Sequence, residues 1–286
     1  MERKEIKTML EGEFKDCPEP LRRQMGSMID AGLLDVDAAK LSEEEKSCRH
    51  ALIHRLCKDE YDEMCSKIPQ LDEAQKRLQV DYLRVLILLQ DITRMAENFD
   101  EAIKNGNFLE GFRELRMGLL AYYLSDDARK NFSRYGKDDA EICELSRKLA
   151  PRTTFLAHMR NYVAGHLDAV VLEKTCQWGG FSIFTKSSMC APALMILVNK
   201  FLFETGINCC IASKPDDKKV IKNEIDLTYP PDYEYFMGFM SETYDLTYKF
   251  LNRIKEKIEV QLKTYDSPKE MLERAIWAGA TDFAVE

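Results

Sequence analysis

The sequence predicts an all-α protein built around an antiparallel helical bundle. Apolar residues recur at helical spacing over long segments, glycine and proline fall between those segments, and the connections are short. Hydrophobic residues make up 45% of the 286 residues and charged residues 31%, a balance that allows a substantial buried core. We expect an N-terminal helical arm over residues 1–70, the bundle over 71–176, and a C-terminal helical extension over 177–286 that packs on the bundle.

Two long helices are predicted at the centre of the chain. The first runs from Leu71 to about Lys104, a segment that contains no glycine or proline. Its apolar stripe comprises Leu78, Tyr82, Val85, Leu86, Leu89, Ile92 and Met95. The Asn-Gly-Asn sequence at 105–107 is expected to end it, because these residues tolerate a left-handed backbone. The second helix is predicted from Phe108 to about Tyr135.

Two shorter helices are predicted to complete the bundle. One covers Asp138 to Leu149, and Pro151 is expected to begin the next, because proline suits the first turn of a helix. That next helix is amphipathic and extends to Asp168. Short connections between four such helices favour antiparallel neighbours.

The pattern is looser after residue 168. Gly179 to Phe184 is interpreted as a loop, and Pro192 to about Thr205 as a helix. Ser213 to Pro231 is polar and is expected to form a surface excursion. Tyr233 to Lys263 is predicted to be a third long helix.

Charge and cysteine usage narrow the class of protein. The net charge is −8 and the pI about 5.3, which disfavours a general nucleic-acid coat because such a surface must be basic. Nine cysteines, an odd number, indicate reduced thiols rather than a disulfide scaffold. The charged N-terminus lacks the apolar core of a signal peptide, and the run Ala191–Val198 is too short to span a bilayer. We therefore expect a cytoplasmic protein that does not enter the membrane.

One stretch combines a cation, an amide and an imidazole within seven residues. Arg160, Asn161 and His166 form the pattern R-N-x-x-x-x-H on the amphipathic helix that follows Pro151. This pattern resembles the signature of the HEPN superfamily of helical bundles, in which an arginine and a polar residue precede a histidine. The resemblance covers residues 71–175 and places the motif on the fourth predicted helix, as in the family.

The resemblance implies a metal-independent endoribonuclease, of a kind found in phage defence or beside an antitoxin, or a relative that has lost activity. His166 would be the general base or acid for attack by the RNA 2′-hydroxyl, since an imidazole titrates near neutral pH. The Arg160 guanidinium would stabilise the charge of the phosphorane, and Asn161 would position one of the two. No cofactor is implied.

Helix geometry adds a condition to this hypothesis. Six residues along an ideal helix separate two side chains by roughly 9 Å of rise and about 120° of turn. Arg160 and His166 therefore converge only if Gly165 distorts the helix or if a second protomer contributes to the site. In the family, two protomers bring their motifs together across a groove, so the resemblance implies a homodimer.

Other interpretations of these residues stay open. The same loose spacing occurs at Arg49…His54 and at Arg152…His158. Arg160 and His166 are also compatible with a non-catalytic interaction or regulatory module, in which they pair with carboxylates such as Asp168 and only stabilise the fold.

A zinc-binding helical protein is the third possibility. His50, His54 and Cys57, with Cys48 just before them, lie at helical spacing on one face. The chain has no phosphate-binding glycine loop, dinucleotide fingerprint, H-E-x-x-H motif or nucleophile elbow.

Overall fold

The computed structural model describes residues 70–186 and 194–265, together with Ser66, Glu270 and Arg274. Within these residues the secondary structure is helical and contains no strand, which confirms the all-α prediction. The six α-helices are α1 (Glu73–Lys104), α2 (Phe108–Asn131), α3 (Ala140–Arg160), α4 (Ala169–Ile183), α5 (Leu194–Ala212) and α6 (Pro230–Glu259). The predicted zinc ligands and the Arg49…His54 pair lie outside the described residues.

Contacts divide the chain into two units, one of Met1–Asp72 with Lys263–Glu286 and one of Glu73–Leu262. The six helices belong to the second unit. Its core contains a ring of four helices, in which α1 packs against α2, α2 against α3, α3 against α6, and α6 against α1. The side chain of Asp126 meets Thr153 while Arg160 lies over Tyr123, so α2 and α3 run antiparallel. Helix α4 packs against α5, and α5 packs on α2 and α3.

The turn between α1 and α2 follows the sequence prediction. Gly106 has a φ of +69°, a conformation that glycine adopts without strain. Asn107 then caps α2, because its side-chain oxygen accepts a hydrogen bond from the backbone N–H of Glu110 at 3.2 Å. The Asn-Gly-Asn sequence thus ends one helix and begins the next.

The prediction that Pro151 begins a new helix is wrong. Helix α3 continues through it from Ala140 to Arg160. A proline inside a helix costs about 3 kcal/mol because it removes a hydrogen bond. Leu149 and Thr153, on either side of it, are each 1% exposed, and Pro151 itself faces outward. Burial of this continuous face offsets the free-energy cost of the proline. Because α3 is one helix, the fourth helix of the ring is α6.

The predicted loop at Gly179–Phe184 is also wrong, because α4 extends to Ile183. Gly179 is a packing residue. A Cβ atom added to it would lie 2.5 Å from the ring carbon Cγ of Phe201 on α5. The glycine lets the two helices approach closely.

Helix α5 is long and apolar enough to cross a membrane on length and composition alone, and 56% of its most apolar window is buried inside the protein. It also contains Lys200 and Glu204, whose side chains are 8% and 0% exposed and pair at 3.1 Å. Helix α5 is therefore a core helix of the compact unit, longer than the predicted segment. The polar segment that follows it has a single 3-10 turn at Asp216–Lys218 before α6.

Candidate functional site at the end of helix α3

The helix that contains the motif changes geometry inside the motif. Helix α3 ends at Arg160, and Asn161–Gly165 form a π-helical turn. His166 leaves the helix, and Leu167 has a φ of +48°. The prediction of one amphipathic helix to Asp168 is therefore wrong. The alternative that Gly165 lies in a distorted part of the helix agrees with the structure, and such π turns occur frequently at functional sites.

The π turn ends where residues 166–168 connect it to α4. The Asp168 carboxylate caps α4 by accepting hydrogen bonds from the backbone N–H groups of Val170 at 2.9 Å and Val171 at 3.1 Å. Its own N–H donates to the carbonyl of Tyr162 at 3.1 Å. Asp168 is therefore engaged by the backbone of both helices. The side chain of Val163 is fully buried and anchors the π turn in the core.

Arg160 is held without a carboxylate partner in the described ranges. Its guanidinium lies over the ring of Tyr123 on α2, with Cζ 5.0 Å from the centroid. Its Nη1 donates to Oδ1 of Asn161 at 3.1 Å. It also lies against the backbone of Gly165, where an added Cβ would be 2.8 Å from Cζ. The positive charge is positioned by three neutral groups and stays partly exposed.

His166 is exposed at the start of the link. In the part of the chain that the structure describes, it forms no hydrogen bond or ion pair, either with Arg160 or with a carboxylate. The structure therefore brings Arg160 and Asn161 together and leaves His166 as a separate, exposed group. The pairing with Asp168 that a purely structural role predicts is not formed.

In the overlapping pair Arg152…His158, the arginine already has a carboxylate partner. The Arg152 guanidinium donates to the carbonyl of Phe239 at 3.2 Å and to Thr243 Oγ1 at 3.3 Å, and it pairs with Glu242. It thus ties α3 to α6. His158 lies in a different cavity, where burial and the positive charge of Lys214 lower its pKa from the usual 6.5. Only the Arg160 copy leaves its arginine without a carboxylate partner among the described residues.

Several large apolar side chains of α1 and α2 are exposed. They are Met117, Leu120 and Leu124 on α2, and Val80, Leu83 and Ile87 on α1, and we call them the α1/α2 apolar surface. Tyr123, which precedes Leu124 on α2, is itself 40% exposed. In monomeric proteins an exposed apolar surface of this kind often marks an interaction site.

The described residues offer no cluster of metal ligands near the motif. No group of three or more histidine, cysteine, aspartate or glutamate side chains within the described ranges is arranged to hold a metal ion. Tyr123 was not found from the sequence, because no local pattern links α2 to the end of α3. A guanidinium and an amide of this kind can bind a phosphate, and the imidazole of His166 lies apart from them.

Comparison with protein-family models, curated proteins and solved structures found no match to the chain.

Proposed function

We propose that this chain is a HEPN-like, metal-independent endoribonuclease that acts as a homodimer. His166 is the general base or acid, Arg160 stabilises the phosphorane, and Asn161 orients the arginine. The observation that supports this most is that Arg160 has no carboxylate partner in the described part of the chain, although it is held in place by Tyr123 and Asn161. A guanidinium positioned by neutral groups keeps its charge for an incoming anion.

The proposed reaction is an internal transesterification of RNA. His166 removes the proton of a 2′-hydroxyl, whose oxygen attacks the adjacent phosphorus. The bond from phosphorus to the 5′-oxygen of the next nucleotide breaks, and that oxygen takes a proton. The products are a 2′,3′-cyclic phosphate and a free 5′-hydroxyl. Arg160 can donate two hydrogen bonds to the phosphorane oxygens, a role that is worth most where charge develops.

A second copy of the chain completes the site in this proposal. His166 is not joined to Arg160 by any contact in the described part of one chain, and one protomer offers both groups on its surface. The α1/α2 apolar surface is exposed and supplies an apolar area that a two-fold interface would bury. The net charge of −8 favours a short contact with RNA rather than an extended one.

The alternative is a non-catalytic interaction module. The α1/α2 apolar surface supports it independently of the motif, because a regulatory partner can bind an exposed apolar helix face. Under this alternative, substitution at His166 leaves the biological activity intact, whereas substitution at Leu120 removes it.

The deciding experiment is cleavage of a defined RNA in EDTA. We expect the wild-type chain to cleave the RNA but not the same strand with 2′-deoxyribose at the cut position. His166→Ala and Arg160→Ala should each lower the rate by about 10²–10⁴-fold. Arg147→Ala is the matched control for Arg160→Ala, because Arg147 lies on the same helix and pairs only at the surface with Glu144.

Three outcomes would contradict the proposal. Loss of cleavage in EDTA would exclude the metal-independent mechanism. Cleavage that survives His166→Ala would remove the assigned role of His166. Loss in His158→Ala with retention in His166→Ala would move the site to the overlapping pair.

A further inference from the structure

A separate cavity of about 340 Å³ is lined by residues of α3, the end of α5 and the segment after α5, and its lining includes neither Arg160 nor His166. One wall is a face of α3 that includes Pro151, Phe155 and His158. The other walls are the last turn of α5 and the segment from Lys214 to Ile221 that follows it. The volume is within the range of small-molecule sites.

The inner part of this cavity is apolar. Phe155, Ile211 and Ile221 line it and are each less than a tenth exposed. Cys210 also lines it, and burial raises the pKa of the Cys210 thiol to about 12, so the thiol stays neutral. An apolar ligand body would therefore replace water against these side chains, which is favourable.

The rim of the cavity is cationic. Lys214, Lys218 and Lys219 all line it. Lys219 is neutralised by Asp216 at 2.7 Å. Lys214 and Lys218 have no carboxylate within ion-pair distance in the described residues, so two positive charges remain at the mouth of an apolar cavity. His158 adds a ring that can exchange hydrogen bonds with a bound head group.

We propose that this cavity is a binding site for a small amphiphilic anion: a carboxylate with an aromatic or short aliphatic body. The body occupies the apolar part beside Phe155, and the carboxylate lies at the rim between Lys214 and Lys218. The carboxylate would meet two lysines that have no carboxylate partner among the described residues. The inference is independent of the proposed ribonuclease site.

The test is calorimetric titration of the full chain with 4-phenylbutyrate and, separately, with 4-phenylbutan-1-ol, which has the same body and no charge. We expect the acid to bind and the alcohol to bind about tenfold more weakly. Lys214→Gln/Lys218→Gln should weaken binding of the acid about tenfold. Lys222→Gln is the matched control, because Lys222 is exposed on the same segment and does not line the cavity.

A second variant tests the location. Ala150 lines the cavity, and Ala150→Phe should fill it and abolish binding of 4-phenylbutyrate, with circular dichroism and the thermal midpoint confirming the fold. Three results would each overturn the proposal. They are equal binding of the acid and the alcohol, no binding of the acid at millimolar concentration, and unchanged binding of the acid by the Ala150→Phe variant.

Discussion

Among the described residues, Arg160 is positioned by groups that carry no charge: the ring of Tyr123, the amide of Asn161 and the backbone at Gly165. A cation over an aromatic face gains about 0.5–1 kcal/mol at an exposed site, enough to favour one rotamer without neutralising the charge. Arg152, two turns earlier on the same helix, illustrates the opposite case, since it is committed to Glu242 and to two acceptors on α6.

Gly165 is predicted to be necessary for this arrangement. In Gly165→Ala the new Cβ would lie 2.8 Å from Cζ of Arg160, so the guanidinium must move. The obstructed atoms are the end of a flexible side chain, and the protein should still fold. We expect RNA cleavage to fall about a hundredfold, as for a misplaced catalytic group.

Gly238→Ala is the control for Gly165→Ala. Gly238 lies on α6 with nothing within 4 Å of an added Cβ, so the substitution should leave cleavage unchanged and raise the free energy of unfolding by about 0.5–1 kcal/mol. Cleavage rates and denaturant unfolding of both variants check this. A Gly165→Ala variant with the wild-type rate would show that the contact with Gly165 does not position Arg160.

Part of the site could be predicted from the sequence. The adjacency of Arg160 and Asn161 suggested that the two side chains cooperate, and the structure shows them hydrogen-bonded. Distortion of the helix at Gly165 was one of two alternatives that the spacing of Arg160 and His166 required, the other being a second protomer. Tyr123 could not be predicted, because its contact with Arg160 depends on how α2 packs against α3 rather than on any local spacing.

The apolar helix α5 contains a buried ion pair between Lys200 and Glu204. The Glu204 carboxylate is fully buried and accepts hydrogen bonds from Lys200 at 3.1 Å, from the indole N–H of Trp178, and from the backbone N–H of Leu227 at 2.7 Å. It thereby joins α5 to α4 and to the segment before α6. Three hydrogen bonds compensate the burial of the Glu204 carboxylate. A buried Lys200 without that carboxylate would lower the stability of the fold.

Glu204→Gln should lower the free energy of unfolding by about 3 kcal/mol, because Lys200 stays charged and buried with only the exposed Asp226 carboxylate, 3.8 Å away, as a partner among the described residues. The double variant Lys200→Met/Glu204→Gln should recover much of that loss, since neither charge then remains in the core and the amide oxygen can still accept from the backbone N–H of Leu227. Glu110→Gln, which breaks only an exposed pair with Arg113, should cost about 1 kcal/mol or less. Urea unfolding of the three variants measures this. Equal losses for Glu204→Gln and Glu110→Gln would refute the role given to the buried pair.

Helix boundaries were predicted correctly where the local sequence signal and the burial of neighbouring residues favour the same structure. The turn at Gly106 combines a left-handed glycine with a capping asparagine, and the prediction was confirmed. At Pro151 and Gly179 the local signal favours a break. Burial of Leu149 with Thr153, and close packing of Gly179 on Phe201, favour a continuous helix instead. Tertiary packing outweighs the propensity of a single residue at both positions.

The helical period fixes the fold class of the whole chain but not the neighbours of each helix. Long apolar stripes predicted α1, α2 and α6, and the short connections in residues 71–176 predicted antiparallel neighbours there, with α6 in an extension outside the bundle. The ring of four helices uses α6 as its fourth member, which no local pattern reveals, because α6 is separated from α3 in sequence by the α4–α5 hairpin. The core therefore continues across Glu73–Leu262.

The six side chains of the α1/α2 apolar surface are each between 40% and 59% exposed. A two-fold interface over this surface would bury them in the proposed homodimer. Two identical patches are self-complementary across a two-fold axis. The proposed site is thus a property of the dimer.

Co-expression of Arg160→Ala and His166→Ala chains with different affinity tags, followed by tandem purification of the mixed dimer, tests this most directly. In a site shared between protomers, one of the two sites of the mixed dimer combines an intact Arg160 with an intact His166. We predict that the mixed dimer cleaves RNA in EDTA at about half the wild-type rate, while both single-variant homodimers are inactive. A mixed dimer as inactive as its parents would contradict the shared site.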